Sequence, residues 1–292
     1  MKILCAIWII CLLLAGITSC DSEKADIPAY IRINSSNFVV DSSGTQGSSS
    51  SKINDIWLSV NGQQIGANNI PSEFPVIIDP NIGVQQVRLS AGIIDNGISN
   101  TRKVYPFYAV KEYLLQMVEG ETYTFDPIFT YDSSATIINI EDFEQPGTAF
   151  GDDLDGNPNT SLIKQTVDVF EGTASGQLYL DSANLECTVA SSVKQSNLQP
   201  PGTSFPVYIE MDYKTNTLIQ VGIQSTYSSG SVVTDYFAGI NPNETWNKIY
   251  FNITELIFTK GANQYQIVFR ALNQNSNITP LIYLDNIKLL HF

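Results

Sequence analysis

Apolar and polar residues alternate with a period of two along most of the chain, in short runs punctuated by Gly, Asn, Pro and Ser. The stretch 29–34, Ala-Tyr-Ile-Arg-Ile-Asn, is typical: every second side chain falls on one face, as a half-buried strand requires. Val, Ile, Thr, Tyr and Phe fill these runs, and branched and aromatic side chains suit a pleated surface. Asn61-Gly62 separates runs at 53–60 and 63–66, and this dipeptide supplies the positive φ angles of a two-residue hairpin. Further strands are predicted at 74–78, 84–91, 104–108 and 122–129. The one window with helical character, 109–117, also fits a strand through Tyr113-Leu114-Leu115.

The pattern breaks twice. Residues 41–51 are almost wholly Ser, Gly, Asp, Thr and Gln, which predicts a flexible loop too polar to be buried. Asp132-Ser-Ser-Ala135 marks a domain boundary. After it, alternating runs at 135–144, 163–170, 175–180, 185–190, 207–213, 218–224, 232–237, 246–253, 265–271 and 282–290 suit a two-sheet jelly roll. The predicted fold class is therefore all-β: a small Ig-like β-sandwich domain at 27–131 and a jelly-roll β-sandwich at 132–292.

The N-terminus has a different pattern. Lys2 precedes an almost unbroken apolar run from Ile3 to Ile17, shorter than the ~20 residues a membrane-spanning helix needs. A secretory signal peptide over 1–19 is the expectation. Ile17-Thr18-Ser19-Cys20 resembles the lipobox of bacterial lipoproteins, with Ile where Leu is usual, and the resemblance implies a diacylglycerol on the Cys20 thiol. Ordinary cleavage leaving a free Cys20 is the other reading. Each buried CH₂ of such an anchor contributes about 0.8 kcal/mol, so the membrane becomes a lasting partner. Residues 20–26 form a polar tether, and the acidic Asp21 resembles the surface-export signals of Bacteroidota lipoproteins. That implies an outer-membrane lipoprotein on the cell surface; in enterobacteria the same residue means inner-membrane retention.

Composition narrows the chemistry. The chain carries 15 basic and 29 acidic residues, a net charge of −14, which disfavours nucleic acid and anionic headgroups as partners. Of four cysteines, Cys5 and Cys11 leave with the signal and Cys20 carries lipid. Cys187 alone cannot form a disulfide or a two-thiol metal site, and its alternating surroundings predict a small core residue. The only histidine, His291, is penultimate, and no Gly-x-Ser-x-Gly elbow, His metal pair or phosphate loop appears. A non-enzyme is expected, with a two-carboxylate glycoside hydrolase as a distant alternative.

Two resemblances add to this. Residues 60–66, Val-Asn-Gly-Gln-Gln-Ile-Gly, with 84–89, Val-Gln-Gln-Val-Arg-Leu, resemble small surface-layer sandwich domains and imply a scaffold. Asp142-Phe143-Glu144, Gly172-Thr-Ala-Ser-Gly-Gln-Leu-Tyr-Leu180 and Ile282-Tyr-Leu-Asp-Asn-Ile-Lys-Leu289 resemble, in that order, the jelly-roll carbohydrate-binding and galactose-binding-like modules. The likeness implies that first and last strands are neighbours, that Glu144 meets Asp285, and that a structural Ca²⁺ sits between these mutually repelling carboxylates. The alternative is that Asp285 caps a turn and Glu144 faces solvent. A second acidic stretch places Asp153, Asp155, Asn157 and Asn159 like half of a calcium loop, but Lys164 stands where the bidentate Glu belongs, and ordinary turn chemistry is favoured.

A sugar site needs exposed rings beside polar groups. The candidates are Phe150, Tyr213, Tyr227, Tyr236 and Phe237, while Trp246 matches a position that is usually core in the resembled modules. The expected function is non-catalytic binding of a glycan or glycoconjugate by the C-terminal jelly roll of an envelope lipoprotein, with the first domain as spacer. The alternative is a structural or adhesion component that contacts a protein.

Overall fold

The computed structural model describes residues 26–200, 202–273 and 279–292. The signal segment 1–19, Cys20 and the tether through residue 25 lie outside the described residues.

The first unit contains β1 (Ala29–Ile33), β2 (Asn37–Phe38), β3 (Asp55–Val60), β4 (Gln63–Asn69) and β5 (Ser72–Val76). It continues with β6 (Gln85–Ile94), β7 (Arg102–Val104), β8 (Lys111–Leu115), β9 (Thr122–Phe125) and β10 (Ile128–Phe129). Strands β5-β1-β9 form one sheet and β4-β3-β6 another, with β7 and β8 both paired to β6. Ile31, Phe74, Leu58 and Leu89 from the two sheets meet in one core. Asn61 and Gly62 turn the β3–β4 hairpin at φ values of 50° and 81°. The ambiguous window 109–117 resolves as a strand, because β8 finds a partner along β6.

The second unit is a jelly roll. It begins with β11 (Thr136–Glu141), β12 (Asp152–Asp153), β13 (Ser161–Gln165), β14 (Ser175–Tyr179) and β15 (Glu186–Ala190). Then come β16 (Val207–Thr215), β17 (Ile219–Thr226), β18 (Val232–Ile240), β19 (Asn243–Asn252), the short helix α1 (Thr254–Lys260), β20 (Gln264–Leu272) and β21 (Ile282–His291). A six-stranded sheet runs β13-β14-β21-β16-β19 with β11 also on β21, and a five-stranded sheet runs β12-β15-β20-β17-β18. Helix α1 was not expected: it spans under two turns and buries one apolar residue, Ile257, so it carries almost no period to read.

The first and last strands of this unit are antiparallel neighbours, with Ile138 opposite Leu289 and Asn139 opposite Lys288. Just past β11, Phe143 takes a left-handed backbone conformation, φ 57°, which is uncommon for a bulky residue. Its ring lies directly against Gly176 of β14, where a Cβ would come within 2.3 Å of it. Cys187 is buried in the same core, and burial pushes its thiol up to about 12.

Strand β16 is buried on both faces. Val207, Ile209, Met211 and Tyr213 point into the jelly-roll core, whereas Tyr208, with Tyr250 and Leu290, belongs to the core of the first unit. The first unit is thus a fixed cover on the six-stranded sheet. Between the units lie fully buried charges. Tyr105 and Tyr131 donate to the two oxygens of Glu210 at 2.6 and 3.0 Å, and Lys248 stands 3.3 Å from the same carboxylate. Lys288 donates to the Ser48 carbonyl at 2.6 Å and to Tyr131 at 3.2 Å. Ser50 donates to Asp212 at 2.7 Å, and the Lys52 N–H donates to the Tyr250 hydroxyl at 2.8 Å.

These contacts correct the reading of 41–51 in part: residues 41–45 are exposed as expected, but Ser48 and Ser50 reach the buried sheet. Ser48 is buried, and the segment's hydroxyls and carbonyls satisfy charges that the sheet would otherwise leave bare. Removing one partner from such a network strands the others without water. Glu210→Ala is expected to lower stability by about 3–5 kcal/mol in urea unfolding, with Tyr105→Phe costing less.

Candidate functional site

The outer face of the five-stranded sheet carries a partly exposed ring among polar side chains. On β20, Ile267 and Phe269 point into the core, so Gln266, Val268 and Arg270 point outward; on β15, Thr188 and Ala190 do the same. The edge strand β18 contributes Tyr236, opposite Gly222 of β17, at a register shift between Val221 and Gly222. A Cβ on Gly222 would meet the Asp235 carbonyl oxygen at 2.9 Å and the Tyr236 ring at 3.0 Å, so the ring packs close beside that glycine.

The surroundings hold the ring there. Its hydroxyl lies near the Thr188 side chain, and the Arg270 guanidinium lies 5.7 Å from its centroid, within cation–π range. Arg270 donates to Glu186 at 2.8 Å and to Gln220 at 3.3 Å. The Arg270 contact holds the Glu186 carboxyl below the usual carboxylate range. Gln224 donates to Thr234 at 3.2 Å, and Gln266 donates to Asp152 at 2.7 Å. Tyr236 remains 38% exposed beside these donors and acceptors.

The other predicted aromatics sit elsewhere. Tyr213 and Phe150 are buried in the core, the Tyr213 hydroxyl accepting from Asn247 at 2.9 Å. Phe237 packs on the core edge-to-face with Phe251, and Tyr227 is half-buried at the β17–β18 turn. Only Tyr236 of the four ring candidates Tyr213, Tyr227, Tyr236 and Phe237 lies on an outer sheet face with a substantial part of its ring in water. Trp246 departs from the core position implied by resemblance. It is half-buried on the outer face of the six-stranded sheet, and its indole N–H donates to Asp168 at 2.9 Å.

Glu144 and Asp285 come to the same end of the sheet, where both bind the segment 171–174. Glu144 accepts from the Thr173 N–H and hydroxyl and from the Ala174 N–H, which hold its carboxyl below the usual range. Buried Asp285 accepts from the Glu171 and Asn286 N–H groups. Among the described residues, no three His, Cys, Asp or Glu side chains converge where a metal ion could be held. Backbone donors hold both carboxylates in place. Asp153 accepts from the N–H groups of Asp155 and Gly156, and Asp155 from those of Asn157 and Thr188, so this acidic stretch is a self-capped turn.

No family model matches the chain, and no curated protein matches it in sequence. Among solved structures, it is similar to a family 30 carbohydrate-binding module at TM-score 0.39 and 12% identity, over 54% of this chain and 99% of that one. It is similar to the family 11 module of the cellulase Lic26A-Cel5E of Clostridium thermocellum at TM-score 0.37 and 17% identity, over 55% and 97%. It is also similar to the enzymatically active domain of tailspike protein 4 of bacteriophage CBA120, at TM-score 0.37 and 14% identity. That match covers 54% of this chain and only 19% of the tailspike chain.

Burial pushes the Asp285 carboxyl up from 3.8 to about 7, against the pull of its two N–H donors. A folded value above the unfolded one means that its contribution to stability is intact at acidic pH and is lost as pH rises through about 7. Asp285→Asn removes the ionisation but keeps the shape. The variant is expected to gain on the parent steadily between pH 4 and 7, measured as urea midpoints across that range.

Proposed function

We propose that the chain is a non-catalytic, glycan-binding lipoprotein of a bacterial outer membrane, held by Cys20 and displayed at the cell surface. The observation that carries the glycan reading is Tyr236: a partly exposed ring packed beside Gly222 on an outer sheet face, near Arg270, Glu186, Gln220 and Gln224. A pyranose presents an apolar C–H face to such a ring and hydroxyls to its rim. The acids on this face are engaged as acceptors, Glu186 by Arg270 and Asp152 by Gln266, which suits recognition more than proton transfer. The polar fixtures are pre-set, so little side-chain entropy is lost when hydroxyls replace water.

Titration of the mature chain with hexaoses of xylose, glucose and mannose, followed by calorimetry, tests this reading. Tyr236→Ala is expected to weaken binding at least tenfold, or about 1.4 kcal/mol, whereas Tyr236→Phe keeps most of the affinity because the ring persists. Equal affinity and equal stoichiometry in the alanine variant and the parent would remove the site. The anchor is tested separately: Cys20→Ala is expected to move the protein from the membrane fraction to the soluble one and to abolish labelling by a radioactive fatty acid.

A further inference from the structure

The first unit covers only part of the six-stranded sheet. Its contacts gather around Tyr208, Glu210, Lys288 and Tyr250. Towards the other end of β16, Lys214 stands opposite Tyr283 of β21, and Trp246 comes from the neighbouring β19. The Trp246 ring lies 5.6 Å from Phe170 and 6.4 Å from Tyr283. Asp168 links the group, accepting the indole N–H on one oxygen and the Lys214 ammonium on the other at 2.5 Å. A hollow beside it is lined by Lys214, Asn216, Glu244, Leu281 and Tyr283.

Part of this cluster is structural. The Asp168 carbonyl accepts from Gln165 and Ser175, so the 165–171 loop is anchored on β14, and the indole N–H adds a further tie. That role does not account for the apolar side chains left in water around an ion pair: Phe170 is 39% and Leu281 43% exposed. Rings and a leucine beside one donor and one acceptor match the two sides of a sugar, an apolar C–H face and a hydroxyl rim. Lys214 and Asp168 neutralise each other, which favours an uncharged sugar over an ionic one. Lys214 keeps hydrogens to donate, and Glu244 adds an acceptor across the hollow.

We infer that this cluster is a second sugar-binding site, for neutral pyranoses, on the opposite sheet from Tyr236, so that one molecule holds two glycan chains at once. The inference rests on the reading of the protein as a glycan binder. Each site sits on the outer face of a different sheet, with the jelly-roll core between them, so the pair bridges chains and does not lengthen a single groove.

The mature chain keeps two tryptophans, Trp57 in the first unit and Trp246 in the cluster, and the signal lost in Trp246→Phe is the emission of Trp246. Addition of the xylose, glucose and mannose hexaoses is expected to shift that emission in the parent and equally in Tyr236→Ala. Lys214→Ala and Tyr283→Ala are expected to weaken the response at least tenfold at an unchanged thermal midpoint. Light scattering with soluble xylan, hydroxyethyl cellulose and mannan is expected to rise with the parent and to stay flat with either Tyr236→Ala or Lys214→Ala. Silent Trp246 emission, with binding that vanishes entirely in Tyr236→Ala, overturns the second site and leaves the first standing. No hexaose bound by any form overturns both.

Discussion

The structure depends on how charge is buried between its two units. A sheet buried on both faces has no solvent for its outward polar groups, and β16 brings Glu210 and Asp212 into that position. The two carboxylates are answered by Lys248 on β19, by the hydroxyls of Tyr105 and Tyr131, and by Ser50, while Lys288 on β21 is answered by a carbonyl and Tyr131. Buried ion pairs add little net stability, since desolvation offsets most of the attraction. Their use here is directional. Tyr105, Tyr131 and Ser48–Ser50 reach these charges in one docking arrangement, so a shift of the first unit would leave several of them unpaired. The unit expected to be a spacer is a lid fixed at one place on the jelly roll.

That docking leaves part of the jelly roll uncovered. The five-stranded sheet keeps its outer face, and the six-stranded sheet keeps the end that holds Lys214, Tyr283 and Trp246. It also explains how an acidic chain closes a jelly roll at the junction of first and last strands. Asp212 and Asp285 stand opposite each other on β16 and β21, both buried, where two full negative charges would repel strongly. Burial raises both carboxyls, Lys248 partly restrains Asp212, and Asn286, in a left-handed conformation at the β21 bulge, donates its amide to Asp212 at 3.2 Å.

Much of the fold was legible because the pattern reported real faces. The Asn61-Gly62 turn follows from a dipeptide with a strong backbone preference, and the pairing of the 135–144 run with the 282–290 run is what the resemblance to jelly-roll modules implied. What stayed hidden depends on a partner far away in sequence. Glu210 and Asp212 alternate with Ile209 and Met211 as an ordinary solvent face would, and nothing local says that tyrosines more than 75 positions earlier will cover them. Residues 48–50 misled for the same reason: serine hydroxyls are poor core material but good ligands for buried charge. A usable signal was present, since Glu210 and Asp212 on one strand have Lys248 and Lys288 as cross-strand neighbours once the sheet order is known.

The candidate site was half legible, and one backbone feature divides the halves. Tyr236 and Phe237 are adjacent rings, and strict alternation puts one of them outside and one inside without saying which. The register shift at Val221 and Gly222 decides it: Val221 pairs with Ala238 and Gly222 with Tyr236, so Phe237 occupies the bulge and packs on Phe251. Gly222 then leaves room for the Tyr236 ring, which a Cβ there would meet at 3.0 Å. The glycine is therefore as much a part of the site as the tyrosine. A side chain at 222 would push the ring away and separate it from Thr188 and Arg270, whose positions give the site its polar edge.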